Sequence, residues 1–289
     1  MDYFTFCTIM AKGKKRYPVQ RNFTCRQSSA ASNAIVMVDR SLSRLNHRLY
    51  RQGRYYEVKL DVDVTQTLSN PLEVYVLRDT WANQKAFQMA YENYQEATAL
   101  ERSRLSKDQI ARWSDFRTRH GTGFSEMLPV VADESGAEST VSTGEFYDSK
   151  VETAGGAEKR YSWKTEGTAF NLLSEYNLKA NTDDDPAIVS TDTPYSDMDS
   201  DLSNIETDDL TNFGNQPPYS QSTFSDPWVK IATLRDEAGK QRLSTGYFTA
   251  PCGFVVVTNL AGEGTPATNL HVTVKAGDYK GVSAHSMLE

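Results

Sequence analysis

The sequence predicts a mainly β fold, a β-sandwich or barrel broken by one long helical segment and preceded by a basic arm. Three observations carry that expectation. Up to ten short segments of strand character recur along the 289 residues, separated by Gly, Pro, Asn and Asp turns. The clearest of them alternate apolar and polar residues with a period of two. One long stretch, residues 80–116, carries the helical period instead. A hydrophobic share of 38% is enough to bury a real core in a chain of this length.

The arm comes first. "KGKKRYPVQRNFTCRQ", from Lys12 to Gln27, holds six cations and no acid. Lys12, Lys14, Lys15, Arg16, Arg21, Arg26, Arg40, Arg44, Arg48, Arg51 and Arg54 face only Asp2 and Asp39 within residues 1–54, a balance of +9. The whole chain has net charge −7, so the other 235 residues carry −16. A cationic leader on an acidic body points to a polyanionic partner, and these eleven residues are the candidate nucleic-acid contacts. Residues 1–34 show no period and are expected to be mobile when unbound. In "VDRSLSRLNHRLYRQGR", Arg40, Arg44 and Arg48 recur every four residues beside Leu42, Leu45 and Leu49. A helix would give these a basic stripe beside an apolar one, and a loop ordered only against phosphate would read the same way. Tyr17, Phe23, Tyr50, Tyr55 and Tyr56 interleave with the cations, which suits stacking on unpaired bases or packing against the sandwich.

From Tyr55 the period becomes two. Tyr56, Val58, Leu60, Val62 and Val64 point one way, with Glu57, Lys59, Asp61, Asp63 and Thr65 opposite. "LEVYVLR" repeats the alternation after a turn at 69–71, which suggests an antiparallel neighbour. Asp79 or Thr80 can cap a helix whose apolar face is Phe87, Ala90, Tyr91, Tyr94 and Ala97. Ser106 and Gln109 have capping-box spacing for a second helix with Ile110, Trp113 and Phe116. Further strands are expected in "SEMLPVVA", "GEFYDSKVE", "KRYSWKT", "TAFNLLSEYNL", "DPWVKIATLRD", "LSTGYFTA", "GFVVVTNL" and "NLHVTVKA". "FVVVTN", apolar on both faces, belongs in the middle of a covered sheet.

Residues 181–226 hold eleven acids and no Lys or Arg, the composition of a long surface loop. Asp197, Asp199 and Asp201 imitate the opening of a calcium loop, but Leu202 stands where that motif needs Gly. Three scattered cysteines form no zinc pattern and fit a reducing compartment. The four histidines adjoin no nucleophile, and no phosphate loop or dinucleotide fingerprint occurs, so neither an enzyme nor a cofactor is expected. No run reaches the ~18–20 apolar residues of a membrane span.

"LYRQGRYYEVKLDVDV", "LEVYVLRDTWANQKAFQMAYENY" and "QIARWSDFR", together roughly residues 40–117, resemble the capsid proteins of small circular single-stranded DNA viruses of aquatic and marine eukaryotes. That resemblance implies a single jelly-roll β-sandwich, residues 55–289, with 80–116 as a helical insertion after the second strand. It implies a coat protein that assembles with copies of itself into an icosahedral shell around a single-stranded genome, found in the virion and, during assembly, in the host nucleus or cytoplasm. Such arms are often longer and richer in Arg than this one. A carbohydrate- or ligand-binding β-sandwich module of adhesin type is the rival expectation; it leaves the basic arm without a purpose.

Overall fold

The computed structural model describes residues 18–27, 33–63, 71–106, 113–121, 123–141, 146–152, 156–167, 169–180, 227–235, 242–260 and 269–288. The predicted acidic loop 181–226 and the cations Lys12, Lys14, Lys15 and Arg16 lie outside them. Among the described residues 44% are in strands and 21% in helices, which makes the chain mainly β. In order come β1 (Asn22–Gln27), β2 (Ala34–Met37), α1 (Val38–Asn46), β3 (Arg54–Asp63) and β4 (Leu72–Leu77). Two helices follow, α2 (Trp81–Ala97) and α3 (Ala99–Arg104). Next are β5 (Ser125–Ala132), β6 (Glu138–Thr140), β7 (Lys150–Glu152), β8 (Glu158–Ser162), β9 (Ala169–Asn171) and α4 (Leu172–Ala180). The last strands are β10 (Trp228–Leu234), β11 (Arg242–Pro251), β12 (Phe254–Thr258), β13 (Leu270–Val274) and β14 (Ala284–Ser286).

Eight of these strands form two antiparallel runs, β1-β13-β3-β11 and β2-β12-β4-β10. Their pairings are nested. Taken in chain order, the first of the eight pairs with the last, the second with the seventh, the third with the sixth and the fourth with the fifth. β5 joins the two runs. Ser125 and Glu126 pair parallel with Ala34 and Ile35 of β2, and Met127 to Val130 pair antiparallel with β1. The whole is one curled mixed sheet of eleven strands, compatible with a β-sandwich. Lying against both β1 and β2, β5 also covers backbone that would otherwise be open edge.

The period of two on β3 decides its packing. Tyr56, Val58, Leu60 and Val62 are fully buried, and they share one core with Val36, Val74, Val255, Val257 and Val272 from both runs. Each such aliphatic side chain contributes about 1.5–3 kcal/mol by leaving water. β12 is buried on both faces: Val255 and Val257 enter that core, while Phe254 and Val256 enter a second. The second core adds Ile35, Met37, Leu77, Phe87, Trp163 and Leu172, so α2 and the small sheet β7-β8-β9 cover the outer face of one run. The expected position of "FVVVTN" follows, with β12 between β2 and β4.

Several expectations give way. β4 pairs with β10 and β12, not with β3, because alternation fixes the buried face and says nothing of the partner. "TAFNLLSEYNL" is strand only over Ala169–Asn171. Asn171 Oδ1 then accepts from the Ser174 N–H at 3.0 Å, a side-chain cap that starts α4. Of the helical stretch, α2 and α3 account for residues up to Arg104; Gln109 and Ile110 of the second expected helix lie outside the described residues, and Phe116 lies buried in irregular backbone. α2 begins as expected: Thr80 accepts from Asn83 N–H at 3.4 Å. Within residues 1–54, β1 and β2 belong to the large sheet and α1 follows β2 directly. Phe23 and Cys25 of β1, β2 and Leu42 of α1 are core, because apolar residues sit at period two between the cations and are buried by it.

Candidate nucleic-acid interface

Apart from Arg21, half-buried just before β1, the described candidate cations separate into two groups with different surroundings. In the first, α1 turns Arg40 and Arg44 inward. Arg40 meets Asp148 at 2.8 Å and Glu126 at 3.6 Å, and Arg44 meets Glu126 at 3.0 Å. Arg117 joins them, 2.7 Å from Asp39 and 3.8 Å from Asp115. The three guanidinium groups surround the ring of Phe146, at 5.9, 5.3 and 4.5 Å from its centroid. Ring faces take up part of the cationic charge that buried nitrogens such as Arg40 Nε do not direct into hydrogen bonds. Arg40 and Arg44 are therefore committed to internal carboxylates, and their side chains are 9% and 4% exposed. The helix was legible in the spacing, but the side on which its stripe is buried was not. Arg26 is likewise occupied, pairing with Glu138 and donating from Nε to Asn269 Oδ1 at 3.1 Å.

The second group lies at the surface where β3 begins. Arg48 and Arg51 are exposed, Arg54 half-buried, and the chain returns after β13 to set Lys280 beside them. Three tyrosines hold this corner. Tyr50 Oη donates to Lys280 O at 3.0 Å, and Tyr56 Oη donates to Arg51 O at 2.6 Å. Tyr279 Oη accepts from the Arg51 N–H at 3.1 Å. The Arg54 guanidinium lies over the Tyr279 ring, 3.5 Å from its centroid, and Nη1 donates to Ala284 O at 2.9 Å. Lys280 Nζ donates to Leu49 O. Burial first, and then the neighbouring Arg48, Arg51 and Arg54, hold the Lys280 ammonium below its ordinary range, with Asp115 acting against them. The opposing carboxylate among the described contacts is Asp115, 3.7 Å from Arg51 and itself shared with Arg117.

The N-terminal segment runs past the same corner. Gln20 and Asn46 exchange two hydrogen bonds, at 2.8 and 3.0 Å, and Arg21 O accepts from Val274 N–H at 3.0 Å. Val19 lies so close to Gly281 that a Cβ there would sit 2.8 Å from Val19 Cγ2. Lys12, Lys14, Lys15 and Arg16 lie outside the described residues, two to six positions before Pro18.

Of the interleaved aromatics, Tyr17 lies outside the described residues and the other four serve the core. Phe23 is 5% exposed and Tyr50 and Tyr56 are fully buried, while Tyr55 packs partly against the second core. Sequence reasoning missed Lys280, Tyr279, Arg117 and Phe146. None stands near the arm in the chain, and only the pairing of β13 and β14 with β3 delivers Lys280 and Tyr279. Elsewhere, a cavity of 330 Å³ opens between α2, β8, β9 and α4, lined by Glu92, Glu96, Glu175, Tyr161 and Phe170. Among the described residues no three His, Cys, Asp or Glu side chains converge as a metal site, and no helix is long and apolar enough to cross a membrane. No family model, curated protein or solved structure matches the chain.

Proposed function

We propose that the chain is a viral coat protein: a jelly-roll subunit that assembles with its own copies into an icosahedral shell and packages a single-stranded genome, DNA in the family it resembles. The nested pairing carries this reading. A jelly roll is a long antiparallel ribbon whose strands pair first with last and so inward to fourth with fifth, and winding that ribbon adds contacts between neighbouring pairs that complete two sheets. β1·β13, β2·β12, β3·β11 and β4·β10 follow that order. The rolled contacts β13·β3 and β12·β4 complete the two runs. Everything between β4 and β10, including α2 and α3, then counts as insertion in the connection between the fourth and fifth strands of the roll. The expectation of an insertion after the second strand counts from Tyr55, and β1 and β2 precede that residue.

Charge distribution supports the same reading. The outer face of β3 is neutralised locally by Lys59–Asp61, Lys275–Glu57 and Arg242–Asp63 pairs. The corner beside the N-terminal segment is not. A shell whose subunits present that corner inward brings a polyanion against it, through phosphate contacts that need no base recognition. The exposed Trp81, 6.0 Å from Tyr176, is the feature that favours a carbohydrate-binding module instead. That module has no use for the cationic corner. Sedimentation of the purified full-length chain with nuclease treatment tests the proposal: fast-sedimenting material with nuclease-sensitive nucleic acid is expected, and a slow species free of nucleic acid contradicts it.

A further inference from the structure

We infer that Arg48, Arg51, Arg54 and Lys280 form a fixed phosphodiester clamp for single-stranded nucleic acid on the folded domain itself, separate from the N-terminal cations. The inference rests on the packaging reading and adds a defined site to it. Among the described residues these four cations gather at one corner, and the carboxylate that faces them is Asp115, which Arg117 and the Gln52 N–H also use. Their positions are preset. Tyr56 and Tyr279 fix the backbone from which Arg51 projects, and Arg54 is stacked on Tyr279 and bonded to Ala284 O, so its side chain has little freedom left to lose on binding. Guanidinium forks suit a phosphodiester, and an ammonium among them adds a point charge.

Lys280 is held there against local preference. Tyr279 and Val282 close a two-residue turn with reciprocal backbone hydrogen bonds of 3.1 and 3.0 Å. Lys280 and Gly281 occupy its centre with φ of 50° and 92°. Asn or Gly is the residue such a turn favours, and a lysine in the left-handed region is a strained choice. The turn sets an ammonium beside three arginines, a concentration of positive charge that favours a bound anion. A nucleic acid fits better than a small free anion because the N-terminal segment, with four further cations two to six residues before Pro18, passes the same corner at Val19 and Gly281.

The test uses full-length chain and a fluorescein-labelled oligothymidylate, with affinity measured across a salt series. Two variants address the clamp: Lys280→Asn alone, and Arg48→Gln with Arg51→Gln. A third, with Lys12, Lys14, Lys15 and Arg16 all changed to Gln, addresses the leader. Lys280→Asn relieves the turn, so its unfolding midpoint is expected at or above the parent's while its affinity falls about tenfold. Weaker binding then cannot be ascribed to misfolding. Each lost phosphate contact lowers the slope of log affinity against log salt by about 0.7, so the double variant is expected to lose about 1.4. Parent-like affinity and slope in both clamp variants, with binding lost in the leader variant, overturns the clamp and leaves packaging standing. Binding of inorganic phosphate at the clamp with no oligonucleotide binding by the parent overturns both.

Discussion

Arg117 and Asp39 meet at 2.7 Å with the arginine side chain 3% exposed and the aspartate not at all. The pair ties α1 to the irregular segment that follows the helices, and the two are 78 residues apart in sequence. Removing one partner of such a pair leaves a charge buried without compensation, which costs about 3–5 kcal/mol. Arg117→Met is expected to lower stability by that amount in urea unfolding. Arg117→Met combined with Asp39→Asn is expected to recover much of it. Equal stability of the single variant and the parent would show that water reaches Asp39.

Gly53 carries a second test of packing. A Cβ there would stand 2.7 Å from Phe87 Cε1, and that ring is 1% exposed and ringed by the second core. The ring cannot move aside without disturbing α2, so Gly53→Ala is expected to cost about 1–3 kcal/mol. Phe87→Leu opens space at the same point. The double variant should lose less than the two single losses combined, a coupling that thermal unfolding of all four proteins measures.

Acid weakens the fold through His120. Burial, with Arg40 and Arg119 nearby, pushes its pKa down to about 4 from 6.5. Between those values the unfolded chain takes up a proton that the folded chain refuses, so stability is complete above pH 6.5 and is lost as pH falls towards 4. The loss is on the order of 3 kcal/mol over that window. Asp115 acts in the opposite sense: burial raises its carboxyl, so the fold loses stability as pH rises through that value. His120→Phe, a ring of similar size between Phe124 and Phe254, should flatten the dependence between pH 4 and 6.5 while leaving the Asp115 effect in place. A slope identical to the parent's would assign the acid sensitivity elsewhere.

Both described cysteines are expected to be inert. Burial pushes the Cys25 thiol up to about 12 and raises that of Cys252 as well, so neither offers thiolate near neutral pH. Peptide mass spectrometry after alkylation of the native protein should find Cys25 and Cys252 unmodified, and both modified in denaturant. Native labelling of Cys25 would mean that β1 opens readily from the sheet.

What the sequence disclosed depended on whether the signal was local. The alternation of Tyr56, Val58, Leu60 and Val62 is a property of consecutive residues, and it located a strand and its buried face. The two-faced apolar run at Phe254–Val257 likewise marked a central strand. β1 has the same alternation in Phe23 and Cys25, but Arg21 and Arg26 flank it and the cations dominated the reading. Partners were not legible at all: nothing in "LEVYVLR" names β10, which lies 150 residues downstream, as its neighbour. The interface divided the same way. Arg48, Arg51 and Arg54 could be found by counting cations, whereas Lys280 is isolated in the chain and joins them only through the β13–β3 and β14–β3 pairings. Arg40 and Arg44 have identical composition and spacing, and only their position against Glu126, Asp148 and Phe146 removes them from the surface.

Electron microscopy of the purified full-length chain is the most direct test of the central claim that this chain builds a shell. Closed, uniform spherical particles are the expected result, and their density should continue inside the wall at the corner formed by Arg48, Arg51, Arg54 and Lys280. A field of single subunits or small open oligomers, unchanged when single-stranded nucleic acid is added at low salt, would contradict it.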